Sequence, residues 1–325
     1  MVIKQYVVVF AWVVASCKSE EKKAPPLILV TPTVITMGSG SATADPWAGK
    51  PPRTTPETPA EKKKRADIAL ARVASIMPKL AKVRQLTFDH DIPREYQTTE
   101  DFKTFVHAEI AKEMPKAKAA DESAALFHIG LLTKPGNLAD LEEQAFTTQA
   151  GAYYDPAKKK FFLVMVPDND MMLDTISAHE LTHGLQDQHF NLQKFMPEDD
   201  KSLDDDHQSA RRFVAEGDAT FTMFLYAVTA MTDKVITPEM IKLLKTQLAD
   251  FSKTSPEERI KQNAAGFGAS MDPEIKKSID AMNDIPMTVL IPMIDSYTQG
   301  AGLVAAAYDQ GGGWPGVNAL YTDPP

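Results

Sequence analysis

Leu173 to His189 reads LDTISAHELTHGLQDQH, and within it His179-Glu180-Leu181-Thr182-His183 has the form H-E-x-x-H. Two histidines at i and i+4 stand about one turn apart on one face of a helix, so both imidazoles can reach a single ion. The glutamate beside the first histidine then faces a water on that ion. Zinc brings the pKa of such a water toward neutrality, and a carboxylate placed as Glu180 takes its proton. The stretch therefore predicts a helix that turns polar side chains inward, with His179 and His183 as metal ligands and Glu180 as general base.

A hydrolytic zinc site needs a third protein ligand and keeps its fourth position for water. His189 follows His183 at the spacing of the longer H-E-x-x-H-x-x-G-x-x-H motif, but the turn-forming glycine is replaced by Gln186. If the helix continues instead, about 100° per residue carries His189 roughly 120° away from the metal face. Glu216 is the preferred ligand. It sits in HQSARRFVAEGDATFTMFLYAVTAM, His207 to Met231, where Phe213, Val214, Phe221 and Leu225 mark a buried face. Gly217 and Ala219 beside it allow another helix to approach closely, and a carboxylate in such a setting is costly unless it is paired or bound to a metal. The competing reading is a solvated glutamate or an ion pair with Arg212.

The HELTH motif with Glu216-Gly217-Asp218-Ala219 downstream resembles the gluzincins, the thermolysin-like class of zinc peptidases. AHELTHGLQDQHF together with VAEGDAT is similar, more closely, to a group of bacterial lipoproteins and secreted proteins taken to be metallopeptidases. The resemblance spans roughly Gly151 to Tyr321, and its specific part is the two helices. It implies an α+β, mostly helical, zincin-like fold with a small antiparallel sheet beside the metal helix, Zn2+ as cofactor and peptides as substrate. Asp187, four residues after His183, matches the HELTH…D arrangement. In that class an aspartate four residues after the ligand glutamate orients a histidine; here Thr220 stands there, which leaves Asp187 and Asp218 to support the ligands from behind. The resemblance also implies that a hairpin over Gly151 to Val166 supplies an edge along which an extended peptide lies, with Tyr153 and Tyr154 flanking the cleft. Two tyrosines on a hairpin are also ordinary packing residues. The resemblance also implies a tyrosine, histidine or arginine that stabilises the oxyanion, and no histidine follows His207. Tyr297 is the expected donor, with Tyr308 and Tyr321 as alternatives.

Upstream, Tyr6 to Ala15 reads YVVVFAWVVA, an apolar run behind a leader whose only charge is Lys4. Its length suits the apolar region of an export signal better than a membrane-spanning helix. Val14-Ala15-Ser16-Cys17 resembles the lipobox of bacterial lipoproteins, which implies cleavage before Cys17 and a lipid on that residue. The alternative is a buried N-terminal strand with an incidental thiol. Cys17 is the only cysteine in the chain, which excludes an intramolecular disulfide. Residues 17–60 are rich in Pro, Ser, Thr and Lys and read as a disordered tether, with one apolar patch at Leu27 to Ile35. The expected organisation is thus a signal peptide over 1–16, the tether, an N-terminal lobe over 61–150 and a zinc-binding lobe over 151–325 that is cut short at its C-terminus. The resemblance to lipoproteins implies a location at the bacterial cell envelope, with Lys18 after the cysteine favouring the outer membrane.

With 325 residues, 43% apolar, the chain is large enough for a full core, and a net charge of −9 argues against nucleic acid as a partner. Apolar spacing predicts helices over Glu61 to Leu86, bent at Pro78, and over Asp101 to Met114. Ala124 to Leu132 reads as a buried strand, Asn137 to Ala150 as a helix, and almost everything after Asp170 as helical. The acidic run Asp199 to Asp206 lacks a calcium-loop pattern and reads as a solvated connection. Two other functions compete with the peptidase. Glu180-x-x-His183 also satisfies half of a helical di-iron carboxylate site, although the only partner motif is Asp204-x-x-His207. A non-catalytic envelope lipoprotein of zincin shape is the other, against which the intact Glu180 argues. Opening an epoxide or cleaving another amide uses the same ligand set as proteolysis.

Overall fold

A computed structural model describes residues 7–9, 57–134, 136–149, 151–197, 203–232, 236–254, 258, 280–282 and 284–324. Cys17, the patch at Leu27 to Ile35 and residues 17–56 of the expected tether lie outside the described residues, as does most of the acidic run before Asp204; the tether's last residues, 57–60, are ordered instead, because Thr58 and Pro59 open α1. The architecture is α+β and mostly helical. Strand β1 (Val7–Val9) is followed by α1 (Pro59–Arg84), β2 (Arg94–Tyr96), α2 (Thr99–Glu113), α3 (Lys116–His128) and α4 (Leu138–Gln149). Then come β3 (Ala152–Asp155), β4 (Lys160–Leu163), α5 (Asp170–Phe190), α6 (Leu192–Phe195), α7 (Asp205–Thr232), α8 (Pro238–Ser252), α9 (Met287–Gln310) and α10 (Trp314–Thr322). None of the described helices is long and apolar enough to cross a membrane.

Helix α1 begins at a capping box: the Thr58 side chain accepts from the Glu61 amide, the Glu61 carboxylate accepts from the Thr58 amide, and Pro59 occupies the first turn. Its buried stripe is Ala66, Ala69, Val73, Ile76, Met77, Leu80 and Val83, while Ile68 faces solvent. Pro78 lies inside the helix, as expected. Arg72 holds Asp174 of α5 through two hydrogen bonds of 2.6 and 2.8 Å. One hydrophobic cluster runs from Ala66 to Val317, so the residues before and after position 150 share a core.

The expected strand at Ala124 to Leu132 is instead the end of α3 followed by a turn. Five alanines between Ala117 and Ala125 favour helix strongly, and Ala119 and Ser123, one turn apart, face the interior. Ile129 and Leu131, which a buried strand would enclose, are exposed. The hairpin is present as β3 and β4, paired antiparallel with Tyr153 opposite Phe162. Its turn is held by Asp155, whose Oδ1 accepts from the amides of Ala157 and Lys158, both at 2.9 Å. Strand β2 lies parallel to β4, so the sheet is mixed and not purely antiparallel as expected. Its order is β1-β3-β4-β2, with Val7–Val9 antiparallel to β3.

Helix α5 packs beneath this sheet, and every residue from Met172 to Asp187 is buried. A helix covered on all sides lies at the centre of a fold, and its polar residues need partners from neighbouring elements. Those elements are α1 and α7, and α7 in turn packs along α9. Helices α7 and α9 cross at Gly217 and Gly300. A Cβ added at Gly217 would stand 2.2 Å from the Gly300 backbone, closer than atoms can approach. A Cβ at Gly302, on the same helix α9, would meet nothing within 4 Å. Gly217→Ala is therefore expected to destabilise the chain by about 3 kcal/mol or more, because backbone must move. Gly302→Ala should stabilise it by roughly 0.5–1 kcal/mol through helix propensity. Urea denaturation of both variants checks the contrast.

Candidate metal centre

His179 and His183 occupy successive turns of α5, their rings 4.8 Å apart. Glu216 projects from α7, which packs along α5. Its Oε2 stands 3.3 Å from His179 Nε2 and 3.6 Å from His183 Nε2. The three ligand atoms lie within 4.8 Å of one another, and all three residues are buried. Nitrogen and oxygen atoms bound tetrahedrally at 2.0–2.1 Å are about 3.3 Å apart, so both histidine–glutamate separations suit one small ion. His183 Nε2, buried and facing Glu216, has no hydrogen-bond partner, and a metal would satisfy it. The group could hold a metal ion.

Electrostatics agree. Burial pushes the His179 imidazole down to about 4, against the opposing pull of the Glu216 carboxylate. Burial pushes Glu216 up, yet the two imidazoles facing it outweigh that, His179 through a hydrogen bond, and hold the carboxyl at about 2. A neutral histidine facing an ionised glutamate is the protonation state that binds a cation.

Behind the ligands the structure is uneven. His183 Nδ1 is 2.7 Å from Gln186 Oε1, and Gln186 Nε2 reaches the Ala215 carbonyl at 2.9 Å and Asp218 Oδ2 at 3.2 Å. Asp218 is gripped by the fully buried Arg84 at 2.8 and 3.1 Å and by the Tyr321 hydroxyl at 2.8 Å. His179 Nδ1 and Thr220 Oγ1 are both buried without a hydrogen-bond partner. His179 thus has no hydrogen-bond partner behind it, whereas His183 does. Asp218 reaches a ligand only through Gln186. Asp187, also expected behind the histidines, binds elsewhere. It accepts from the Tyr154 hydroxyl at 2.8 Å, the Lys159 ammonium at 2.7 Å and the Leu192 amide at 3.0 Å, fastening the hairpin to the end of α5.

Glu180 is fully buried, and its Oε2 accepts from the Tyr154 amide of β3 at 2.9 Å. Tyr153 and Tyr154 do not expose their rings to a cleft. Tyr153 stacks on Phe162 and donates to Gln97, and Tyr154 is held by Asp187. It is the Tyr154 backbone, not its ring, that meets the site. Tyr297 on α9 places its ring 5.6 Å from that of His179. Burial and the nearby Glu216 and Glu180 carboxylates raise its hydroxyl well above 10, so it keeps its proton. Tyr308 packs among Phe221 and Trp314, and Tyr321 is committed to Asp218. His189 is exposed at the end of α5 and donates to the Thr87 carbonyl at 2.7 Å. Asp204 and His207 are exposed at the start of α7, where Asp204 Oδ1 accepts from the His207 amide as a helix cap.

The position of His179 has a consequence for stability. In the unfolded chain a histidine titrates near 6.5, and in the folded metal-free chain His179 does so at about 4. As pH falls through this window the unfolded state takes up a proton that the folded state refuses, so stability is lost. Glu216, held at about 2, adds a loss of the same sign at lower pH. The melting temperature of the chelator-treated protein should fall from pH 7 to pH 5, and less steeply in His179→Gln.

Family models, curated proteins and solved structures offer no match to this chain.

Proposed function

We propose that the chain is a zinc-dependent peptidase of gluzincin type, exported and held at the bacterial cell envelope by a lipid on Cys17. The observation that carries this reading is the meeting of His179, His183 and Glu216 in one buried group, with Glu180 beside it and anchored to the amide of Tyr154. Two imidazoles and one carboxylate are a donor set that suits zinc and leaves a position open. The resemblance of HELTH…EGDAT to the gluzincins supports the same choice, and with it a zincin-like arrangement of sheet and helices.

Zinc bound there supplies Lewis-acid activation of a water and of the substrate carbonyl. Glu180 takes the water's proton and passes it to the leaving amine. Its carboxylate does not swing freely, because the Tyr154 N–H fixes Oε2. Tyr297, protonated and packed against His179, donates its hydroxyl to the developing oxyanion. Cleavage before Cys17 removes β1 and uncovers β3, where an extended peptide can pair beside Glu180.

Elemental analysis of the purified chain should find about one zinc per molecule, retained in His189→Ala and lost in Glu216→Ala. Glu180→Gln should keep the metal while hydrolysis of an unstructured protein substrate falls by about a hundredfold to ten-thousandfold. Two irons per chain, or no metal in the unaltered protein, would move the weight to the di-iron or non-catalytic readings.

A further inference from the structure

Gln186 stands one turn beyond His183 on α5, fully buried, with hydrogen-bond partners at both ends of its carboxamide. An amide oxygen only accepts and an amide NH2 only donates. The two groups at its nitrogen end, the Ala215 carbonyl and the Asp218 carboxylate, are both acceptors. Turned the other way, the amide would set oxygen against oxygen on that side. Its oxygen is therefore bound to face His183, and the imidazole must meet it with Nδ1–H. The proton is thereby assigned to the nitrogen remote from Glu216, and Nε2 keeps its lone pair on the side of the metal group.

We propose that Gln186 is the positioning residue of His183, setting its tautomer and ring orientation for the metal, in place of the carboxylate that commonly backs a ligating histidine. The inference rests on the metal-site reading above. What holds the amide is Asp218, which cannot turn because Arg84 of α1 and Tyr321 of α10 grip it from two sides. Arg84 is fixed in turn by Asn318 at 2.7 Å and by the face of Trp314, 4.3 Å from the ring centroid. A chain of hydrogen bonds thus runs from the first described helix and the last to one ligand nitrogen. A neutral amide supplies direction without adding a second negative charge behind the imidazole.

The test compares the full chain with Gln186→Met and Gln186→Glu, reading zinc affinity by chelator competition, the melting temperature of the metal-free protein, and the His183 Nδ1–H signal of the 15N-labelled zinc form. Methionine fills the space and accepts nothing useful. Glutamate still accepts from His183 but sets a carboxylate against Asp218 and the Ala215 carbonyl, so it should melt lowest. A merely structural role predicts that zinc affinity follows melting temperature. The positioning role predicts the reverse order for the two variants: Gln186→Met loses about ten- to a hundredfold in zinc affinity together with the Nδ1–H signal, while Gln186→Glu keeps the signal and binds zinc more tightly than Gln186→Met. Unaltered affinity in Gln186→Met, or affinities that track melting temperature, overturns the inference and leaves the metal site standing. If Gln186→Met does not fold, the Nδ1–H signal in Gln186→Glu decides by its presence or loss. Absence of zinc from the unaltered chain would instead remove the site reading and this inference together.

Discussion

A guanidinium and a carboxylate, Arg84 and Asp218, face each other in the interior with no exposure to solvent. Removing two such charges from water costs several kcal/mol each, and the pair is tolerable only because nearly every polar atom is matched. Asp218 accepts from Arg84, Gln186, Tyr321 and Thr222, and Arg84 reaches Asn318 as well. Four helices, α1, α5, α7 and α10, meet at this pair. Loss of either partner would leave an uncompensated charge, typically worth about 3–5 kcal/mol of stability.

Around that fixed point α5, α7 and α9 bring His179, His183, Glu216 and Tyr297 together. Gly217 and Gly300 let α7 and α9 touch backbone to backbone. That contact brings Tyr297 of α9 over His179, while the separate packing of α7 on α5 sets Glu216 against the two histidines. The crossing sets how closely α9 lies on α7, and the ion pair fixes the direction of Gln186 behind His183.

Much of this was legible from local spacing. H-E-x-x-H placed His179 and His183 on one face, the buried setting of Glu216 pointed to its place beside them, and the small residues next to it marked a close helix crossing, which is with α9. What escaped depended on contacts distant in sequence. Arg84 reads as an ordinary base in the last turn of α1, and nothing nearby indicates a partner 134 residues away. Gln186 registered only as a missing glycine, although its place one turn after His183 was enough to raise it as a hydrogen-bond partner. Asp187 was assigned to the histidines because spacing cannot distinguish them from Tyr154 and Lys159, which lie on the neighbouring hairpin. The strand expected near Ala124 failed because a short apolar run has no period of its own, and the alanines before it decided for helix. The three-residue strand β2 is too short to leave a pattern at all.

Helix α5 is enclosed from Met172 to Asp187, and this bears on the order in which the molecule comes apart. Elements enclosed on every side open only with the whole domain, so their amides are the last to exchange with solvent. The residues of the candidate centre therefore do not wait for an ion to be brought together, unlike small zinc modules that fold only when loaded. Free energy of metal binding here need not go into ordering the chain. If the group holds an ion, a chelator should remove it while the scaffold keeps its shape.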